Sequence, residues 1–352
     1  MTDGDATRGT IVYYVHHHGS GHAHRAAAIA AHCRTPVVGV GSRPAPPGWP
    51  GSWHELPLDT GGTGPGGDGT EPVDVTAGGT LHWVPRRHDG LRTRTAAVSA
   101  LLAAGPARLL VADVSVEIAL LARLHGIPVA VVAQPGERLD RPHRTAYDLA
   151  EVLLAPWPAD PPRPARPELA ARTVHLGGLS RYDGRTAGAP PGRRRVLVLT
   201  GSGDGGADPR ALAAAAGATP EWTWRVAGGL TGTPVDSPPN LTHAGWTGEV
   251  WTALQDADVV VGHAGQNVVA EIAAARRAAV ILPAERPHGE QAATGAVLRA
   301  AGLATVRDRW PAPAEWPGVL DEALARGGAG WSRWSDGRAA ERAAAVLDGI
   351  AA

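Results

Sequence analysis

The sequence predicts an α/β protein with parallel sheets that are covered by helices on both faces. Short apolar runs, which suit buried strands, alternate along the chain with Ala-rich stretches of helical length. The 352 residues are enough for two domains of about 150 residues each. Apolar residues make up 43% of the chain, enough to fill the cores of such domains. This pattern of strand, helix and strand is typical of parallel sheets.

The first half begins with a strand, a glycine-rich turn and a helix. The strand is expected at residues 10–15, the turn at 16–21, and the helix at 22–33. Apolar runs predict further strands at residues 36–40, 108–112, 128–132, 152–155 and 173–176. Helical patterns between them predict helices near residues 91–104 and 115–125, the second ended by Gly126.

Two segments have the composition of loops. Residues 41–79 are dominated by Gly, Pro, Asp and Thr, so we expect a mobile surface loop. Residues 181–195 have the composition of a linker and precede a new strand. The domain boundary is therefore expected in this second segment.

The second half repeats the pattern of the first. A strand at residues 196–200 leads into the glycine-rich loop 201–206 and a helix with Asp208 as N-cap and Pro209 in its first turn. Further strands are expected at residues 224–227, 258–261 and 279–282, and further helices at 249–256, 267–275 and 290–301. We therefore expect an N-terminal domain at residues 1–184, a second at 192–330, and a helical segment at 331–352 that packs back toward the first.

Charge and cysteine content exclude several classes of protein. The 33 basic and 34 acidic residues nearly cancel, which argues against a nucleic-acid partner that needs phosphate neutralisation. Cys33 is the only cysteine, so no intramolecular disulfide and no cysteine-rich metal site can form. The first ten residues are polar and acidic, unlike a signal peptide, and no apolar run is long enough to span a membrane. We expect a cytoplasmic protein.

Two glycine-containing turns in the second half suit an anionic ligand. Residues 201–206 follow a strand and open a helix, where backbone N–H groups can reach a phosphate, although a plain tight turn would use the same glycines. His263, Gly265 and Asn267 stand where another strand turns into a helix. Glu271 follows one turn later on the same helix face and could accept bonds from two vicinal hydroxyls. Each residue taken singly could also be an ordinary polar surface position.

These residues form a pattern that resembles a known family. His263-x-Gly265-x-Asn267-x-x-x-Glu271, followed by Pro283 and then Glu290-Gln291, resembles the donor motif of GT-B glycosyltransferases that use UDP-sugars. The most similar members are the bacterial cell-wall N-acetylglucosaminyltransferases that act on lipid I, family 28, together with plant and macrolide transferases. In the first half, residues 19–22 and 111–134 resemble the glycine-rich turn and a strand–helix–strand segment of the same family. The resemblance implies a GT-B fold, in which two Rossmann-like domains face each other across a cleft.

The resemblance also implies roles for donor-site residues. His263, Gly265 and Asn267 would contact the diphosphate, with help from Ser202 and Gly203. Glu271 would hold the ribose, and Glu290 and Gln291 the sugar hydroxyls, while the loop at Trp246 would receive the uracil. Glu290 replaces the more usual Asp or Gln, and Gln266 stands where plant enzymes carry Trp, so the sugar is left open.

His22 and Asp113 are the expected catalytic pair. His22 follows a strand and a glycine turn, and it matches the general base of the family. Its imidazole suits proton removal near neutral pH. Asp113 follows the strand at 108–112 and resembles the Asp that orients this His in plant enzymes. The alternative is that each residue only caps a helix.

The expected function is inverting, metal-independent transfer of a sugar from a UDP-sugar to a small-molecule acceptor in secondary metabolism. His16, His17, His18 and His24 lie on one turn, but alternation along a strand separates neighbouring rings, so no metal site is predicted. No cofactor is expected beyond the UDP-sugar donor, which is a substrate. The open alternatives are a UDP-sugar 2-epimerase of the same fold and a non-catalytic sugar-nucleotide-binding subunit. A homodimer is also left open.

Overall fold

The computed structural model describes residues 9–17, 20–59, 73–160, 167–201, 206–232, 235–246 and 248–352. Its strands form two parallel sheets, one of seven strands in the first half and one of six in the second. Helices cover both sheets. The α/β fold class predicted from the sequence is confirmed.

The first sheet has the strand order β3-β2-β1-β4-β5-β6-β7. Its strands are β1 (Thr10–Val15), β2 (Val37–Gly41), β3 (Trp53–Glu55), β4 (Ala107–Asp113), β5 (Val129–Val132), β6 (Val152–Ala155) and β7 (Thr173–His175). The helices of this half are α1 (Gly21–Ala30), α2 (Asp89–Ala104), α3 (Val116–Leu124) and α4 (Arg141–Leu149). The chain order reverses between β1 and β4, and such a reversal opens a crevice at the carboxyl ends of the two strands.

The second sheet has the order β10-β9-β8-β11-β12-β13, with its reversal between β8 and β11. Its strands are β8 (Arg195–Leu199), β9 (Thr223–Ala227), β10 (Leu241–Gly245), β11 (Val259–Gly262), β12 (Ala278–Ile281) and β13 (Thr305–Val306). The helices that follow are α5 (Pro209–Gly217), α6 (Val250–Gln255), α7 (Gln266–Ala275), α8 (Glu290–Ala300), α9 (Trp316–Arg326) and α10 (Ala339–Ala351). Each sheet thus has its own crevice.

The central strands are buried on both faces, as parallel strands between helix layers must be. In β1, Ile11 and Tyr13 face one core while Val12 and Tyr14 face another. Helix α10 belongs to the first of these cores, although it ends the chain, because its apolar positions pack on α1 and β4. Asp348 adds a polar contact there by accepting from the backbone N–H groups of residues 34 and 35 at 3.0 and 2.9 Å.

The prediction of a mobile loop at residues 41–79 is wrong for part of that segment. Residues 53–55 form β3, which pairs with β2. A Cβ at Gly39 would lie 2.2 Å from the Trp53 ring, so the glycine makes room for this tryptophan. Trp53 Nε1 also donates to the carbonyl of Arg43 at 2.8 Å. A single bulky ring therefore orders a strand that composition alone did not indicate, while residues 60–72 lie outside the described part.

Besides β3, four elements were not predicted: α4, α9 and the short strands β10 and β13. Helix α4 is mostly polar, and its buried face consists of Pro142, His143, Ala146 and Tyr147 rather than large aliphatic residues, so the sequence has no apolar run there; Asp140 is its N-cap. Strand β13 has two residues and exists only through its pairing with β12. Within the described residues, no helix has the length and apolar character needed to cross a membrane.

Candidate active site

Two helices begin at the cleft, one from each half of the chain. Helix α1 begins at Gly21 directly after β1, and α7 begins at Gln266 after β11. A Cβ at Gly21 would lie 1.9 Å from the side-chain nitrogen of Asn267, so the two helix starts touch. Within the described residues, no side chain caps either helix and neither first turn contains an acidic residue. The N–H groups and positive dipole ends of the two helix starts converge at one place, which suits an anion.

His22 and Asp113 meet as a hydrogen-bonded pair beside these helix starts. His22 Nδ1 lies 2.9 Å from Asp113 Oδ1. Because a carboxylate only accepts, Nδ1 carries the proton and Nε2 is the nitrogen that can receive another. Asp113 is fully buried at the end of β4, whereas the His22 side chain keeps 21% of its surface exposed. The buried Asp113 carboxylate therefore holds the His22 ring in place, with Nε2 left as the basic nitrogen.

Arg25 is a third member of this group, and sequence reasoning missed it. Its Nε and Nη2 donate to the two carboxylate oxygens of Asp113 at 3.0 and 2.5 Å. Burial alone would raise the pKa of Asp113, but the charges of Arg25 and His22 outweigh it and hold the pKa well below its usual range. Asp113 is thus an anion at neutral pH. The signal in the sequence was the spacing, because Arg25 follows His22 by three residues on the same face of α1.

Arg25 also reaches the second half of the chain. Its Nη1 donates to the side-chain oxygen of Gln266 at 3.1 Å. The side-chain nitrogen of Gln266 is buried and makes no hydrogen bond within the described residues. A buried donor without a partner has a large energetic cost, so an acceptor atom of a ligand would stabilise it.

The backbone next to Asp113 is strained. Val114 has a φ of 71°, a left-handed conformation that β-branched residues rarely adopt. Strain of this kind often occurs at functional sites. Val114 also lines a cavity of about 520 Å³ that opens at the carboxyl ends of β1 and β4.

This cavity has mostly apolar walls and lies next to His22. His16 lines it, and the His16 ring stands 5.8 Å from the His22 ring, centroid to centroid. Apolar lining comes from Leu81, Trp83, Leu91, Leu120, Leu121 and Leu124. Glu117 also lines it, but its carboxylate already accepts from the backbone N–H groups of residues 82 and 83 at 2.7 and 3.1 Å. Glu117 therefore holds the cavity wall in place.

His263 stands at the carboxyl end of β11, close to the start of α7. Its Nδ1 lies 3.2 Å from the carbonyl oxygen of Leu282 at the end of β12. A carbonyl only accepts, so Nδ1 carries a proton and Nε2 is left for a ligand. That nitrogen can donate to a phosphate oxygen when the ring is protonated.

Glu271 is not free in this structure. Its Oε1 lies 2.8 Å from Arg181 Nε, and its side chain is only 11% exposed. Burial raises the pKa of Glu271, and the charge of Arg181 opposes that rise. A ribose at this carboxylate would have to share it with Arg181 or displace Arg181.

Glu290 and Gln291 are also occupied. Arg138, from the loop after β5, donates to Glu290 Oε2 at 2.9 Å across the cleft. Gln291 is buried, and its side-chain oxygen accepts from the backbone N–H of Ala284 at 2.9 Å. A Cβ at Gly265 would lie 3.7 Å from the Gln291 side-chain nitrogen, so this nitrogen lies next to the start of α7.

The other expected donor residues lie apart from these contacts. Trp246 follows β10 and is 66% exposed, with its ring beside Gly229. An exposed indole of this kind is free to stack on a planar ring. Ser202 and Gly203 lie outside the described residues, as does His18.

By sequence, the chain matches no protein-family model and no curated protein. Its fold is nevertheless similar to that of solved GT-B glycosyltransferases. The glycosyltransferase of kitacinnamycin aligns with a TM-score of 0.67 at 17% identity, over 98% of this chain and 99% of that chain. A glycosyltransferase of Arabidopsis thaliana, solved with UDP-L-rhamnose, aligns with a TM-score of 0.68 at 13% identity over the same shares. MurG of Acinetobacter baumannii aligns with a TM-score of 0.55 at 19% identity, over 96% and 95% of the two chains. The GT-B fold that the motif implied is therefore confirmed.

Proposed function

We propose that this protein is an inverting glycosyltransferase that moves a sugar from a UDP-sugar to a small apolar acceptor. The observation that carries the proposal is the convergence of two uncapped helix starts, Gly21 of α1 and Gln266 of α7, beside the His22–Asp113 pair. This arrangement supports an anion site and a base at one point of the cleft. The residues before 185 would bind the acceptor, and residues 192–330 would bind the donor.

The donor assignment rests on charge and on the family motif. The start of α7, with Gly265 and Asn267, would hold the diphosphate together with His263, Ser202 and Gly203. Glu271 would hold the ribose, Trp246 would stack on the uracil, and Glu290 and Gln291 would contact the sugar. The solved neighbour from Arabidopsis carries a UDP-sugar, which supports this class of donor.

The proposed chemistry needs one base and one stabilised leaving group. His22 Nε2 takes the proton from the acceptor hydroxyl, and the imidazolium that forms is stabilised by the anionic Asp113. The acceptor oxygen forms a bond to the anomeric carbon from the face opposite the diphosphate, and the bond from that carbon to the phosphate oxygen breaks. UDP leaves with the bonding electrons. Because the acceptor attacks from the opposite face, the configuration at the anomeric carbon inverts. Helix N–H groups and His263 would stabilise its new charge without a metal ion.

The cavity beside His22 favours transfer over epimerisation. A 2-epimerase acts on the sugar nucleotide alone, so it needs no second substrate site. The cavity of about 520 Å³ has the size of small-molecule sites. Its apolar walls suit an aglycone, and the similar proteins include glycosyltransferases of kitacinnamycin and calicheamicin. We therefore place the acceptor among apolar natural products.

The test is a two-step assay on the full chain. Thermal shift with UDP, GDP, ADP and a panel of UDP-sugars identifies the donor, and UDP is expected to raise the melting temperature most. The best donor is then incubated with and without aromatic and macrolide acceptors while free UDP is measured. UDP release that requires an acceptor, together with a glycoside seen by mass spectrometry, supports the transferase. A changed sugar without any acceptor identifies an epimerase, and tight binding without turnover identifies a binding subunit.

A further inference from the structure

Four side chains with metal-binding atoms meet at the rim of the cleft: His82, Asp140, His143 and His288. One nitrogen or oxygen of each lies within 4.8 Å of those of the other three. In the part of the chain that the structure describes, no other group of three or more His, Cys, Asp or Glu residues is this close. None of the four has a chemical role in the proposed transfer, although His82 also lines the cavity beside His22.

These residues come from three separate segments and from both halves of the chain. Asp140 is the N-cap of α4 and His143 lies three residues later, so one helical turn puts them on the same face. His82 comes from the turn that precedes α2. His288 comes from the second half, in the turn before α8, where its φ of 62° is left-handed. The unusual backbone at His288 directs a histidine from one half toward ligands in the other.

Asp140 lies at the centre of the cluster. Its Oδ1 is 2.7 Å from His143 Nδ1 and 3.7 Å from His82 Nε2. Its Oδ2 is 3.3 Å from His288 Nδ1. The three imidazole rings therefore surround one carboxylate, which neutralises at most one positive charge.

The spacing is close to that of a tetrahedral zinc site. Zinc binds nitrogen and oxygen ligands at about 2.0–2.2 Å, which puts neighbouring ligand atoms about 3.4 Å apart in a tetrahedron. The widest separation here, 4.8 Å, needs only small side-chain rotations to reach that value. Histidine and carboxylate ligands suit zinc and similar transition metals, whereas Mg²⁺ and Ca²⁺ prefer oxygen ligands alone.

The surroundings keep the rings available as ligands. The His143 side chain is only 7% exposed, and its ring is held against Asp140. Metal binding through Nδ1 would place the His143 proton on Nε2, which lies 3.4 Å from Arg138. Arg138 would then lose its contact with His143. It would keep its shorter hydrogen bonds to Glu290, at 2.9 Å, and to the carbonyl of Pro135, at 3.1 Å.

We propose that His82, Asp140, His143 and His288 bind one divalent transition-metal ion, of which zinc is the best fit, and that this ion joins the two halves at the cleft rim. Three ligands come from the first half and one from the second. The ion would hold closed the contact at which the backbone N–H of residue 137 donates to the carbonyl of residue 288 at 2.8 Å. Because His288 precedes Glu290 by two residues, the bound ion would also fix the segment that is proposed to face the sugar.

The test measures metal binding directly and needs no enzyme activity. The full chain, with any histidine tag removed and stripped with EDTA, is titrated calorimetrically with Zn²⁺. We expect one ion per chain, and Co²⁺ in its place should give the strong visible absorption of a tetrahedral complex. His288→Ala and His82→Ala remove partly exposed rings, 31% and 38% exposed, so both variants should fold. Each should weaken Zn²⁺ binding by about tenfold to a hundredfold or more, since even outer-shell partners of metals have effects of that size.

His32→Ala is the matched control, because His32 is an exposed histidine outside the cluster. It should bind Zn²⁺ as the parent protein does. Zn²⁺ should raise the melting temperature of the parent and of the control, but not of His288→Ala. Unchanged binding in His82→Ala and His288→Ala would overturn the site. Binding lost in His82→Ala but kept in His288→Ala would overturn the link between the two halves.

Discussion

The two sides of the cleft hold their functional groups in different ways. On the proposed acceptor side, His22, Arg25 and Asp113 come from one half and bond to one another. On the proposed donor side, Glu271 is paired with Arg181, at the start of the linker, and Glu290 with Arg138, in the first half. The proposed base is therefore held mainly by contacts within one half, with only the Arg25–Gln266 hydrogen bond crossing to the other, whereas the proposed donor carboxylates have partners that a substrate must share or replace.

The arginine partners of Glu271 and Glu290 should matter most when no donor is bound. A buried carboxylate without a partner is costly, so Arg181 and Arg138 stabilise Glu271 and Glu290 while no sugar nucleotide is bound. The hydroxyls of a sugar nucleotide would take over part of that role. Donor binding and the contacts across the cleft should therefore be coupled, while the His22–Asp113 pair, whose own hydrogen bond lies within one half, should depend on them less.

The largest expected effect is on the catalytic base. His22→Ala should lower kcat by roughly 10²–10⁴, the usual contribution of a positioned general base. Asp113→Asn should lower kcat less, because it disturbs orientation and charge but keeps the imidazole. Steady-state kinetics measures kcat, and calorimetric titration with UDP measures the affinity for UDP separately. Near-normal kcat in His22→Ala would place the base elsewhere, and lost UDP affinity would move His22 to the donor side.

The next largest expected effect is the loss of folding stability when Arg25 is replaced. Arg25→Met leaves the buried carboxylate of Asp113 without its main counter-charge, and we expect a loss of about 3 kcal/mol in the free energy of unfolding. Urea denaturation at pH 7 measures it. The control is Arg92→Ala, which breaks an ion pair whose side chains are 78% and 79% exposed and should change stability by about 0.5 kcal/mol or less.

The stability difference for Arg25→Met should also depend on pH. The pKa of Asp113 is lowered in the folded protein, so its stabilising contribution is present above the unfolded value of about 4 and is lost as the pH falls further. The gap between parent and Arg25→Met should therefore be largest at neutral pH and shrink below about pH 4. A gap that stayed constant down to pH 2.5 would mean that Arg25 stabilises by packing alone.

A smaller effect is expected at the donor carboxylate. Glu271→Ala should weaken UDP binding by about 1.5–3 kcal/mol, the scale of charge-assisted hydrogen bonds, and leave the fold intact. Calorimetric titration with UDP measures it, and circular dichroism checks the fold. Arg181→Ala in the same titration tests the coupling, because UDP no longer competes with the arginine for Glu271. Unchanged UDP affinity in Glu271→Ala would remove Glu271 from the donor site.

The smallest expected effect is that of chelation. Transfer should continue in EDTA, because helix N–H groups and His263 are proposed to stabilise the diphosphate. EDTA should also remove an ion bound by His82, Asp140, His143 and His288, but this loss should not stop sugar transfer. Turnover that stops in EDTA and returns with Mg²⁺ or Mn²⁺ would contradict the proposed leaving-group chemistry. Residues 16–24 would then need testing as a ligand set.

Local patterns in the sequence determined the fold and the position of the cleft. The apolar runs of β1, β4, β8 and β11 predict buried parallel strands, and the turns that follow them predict helix starts at one edge of each sheet. Periodicity and turn residues act over a few positions, so they can be recognised without knowledge of the rest of the chain. His22, Asp113 and His263 were found in this way, because each stands where a strand ends.

Only the tertiary structure decided which groups are paired. Arg138 and Arg181 have no local feature that separates them from solvated surface arginines, and Arg25 has only its spacing from His22, yet each contacts a carboxylate that is distant in sequence. The cluster around Asp140 likewise joins three segments that no spacing connects. Such contacts depend on how distant segments pack, within one half for Arg25 and between the halves for Arg138, Arg181 and His288. The sequence therefore determined where chemistry could occur, and the packing of the halves determined which charges are available to perform it.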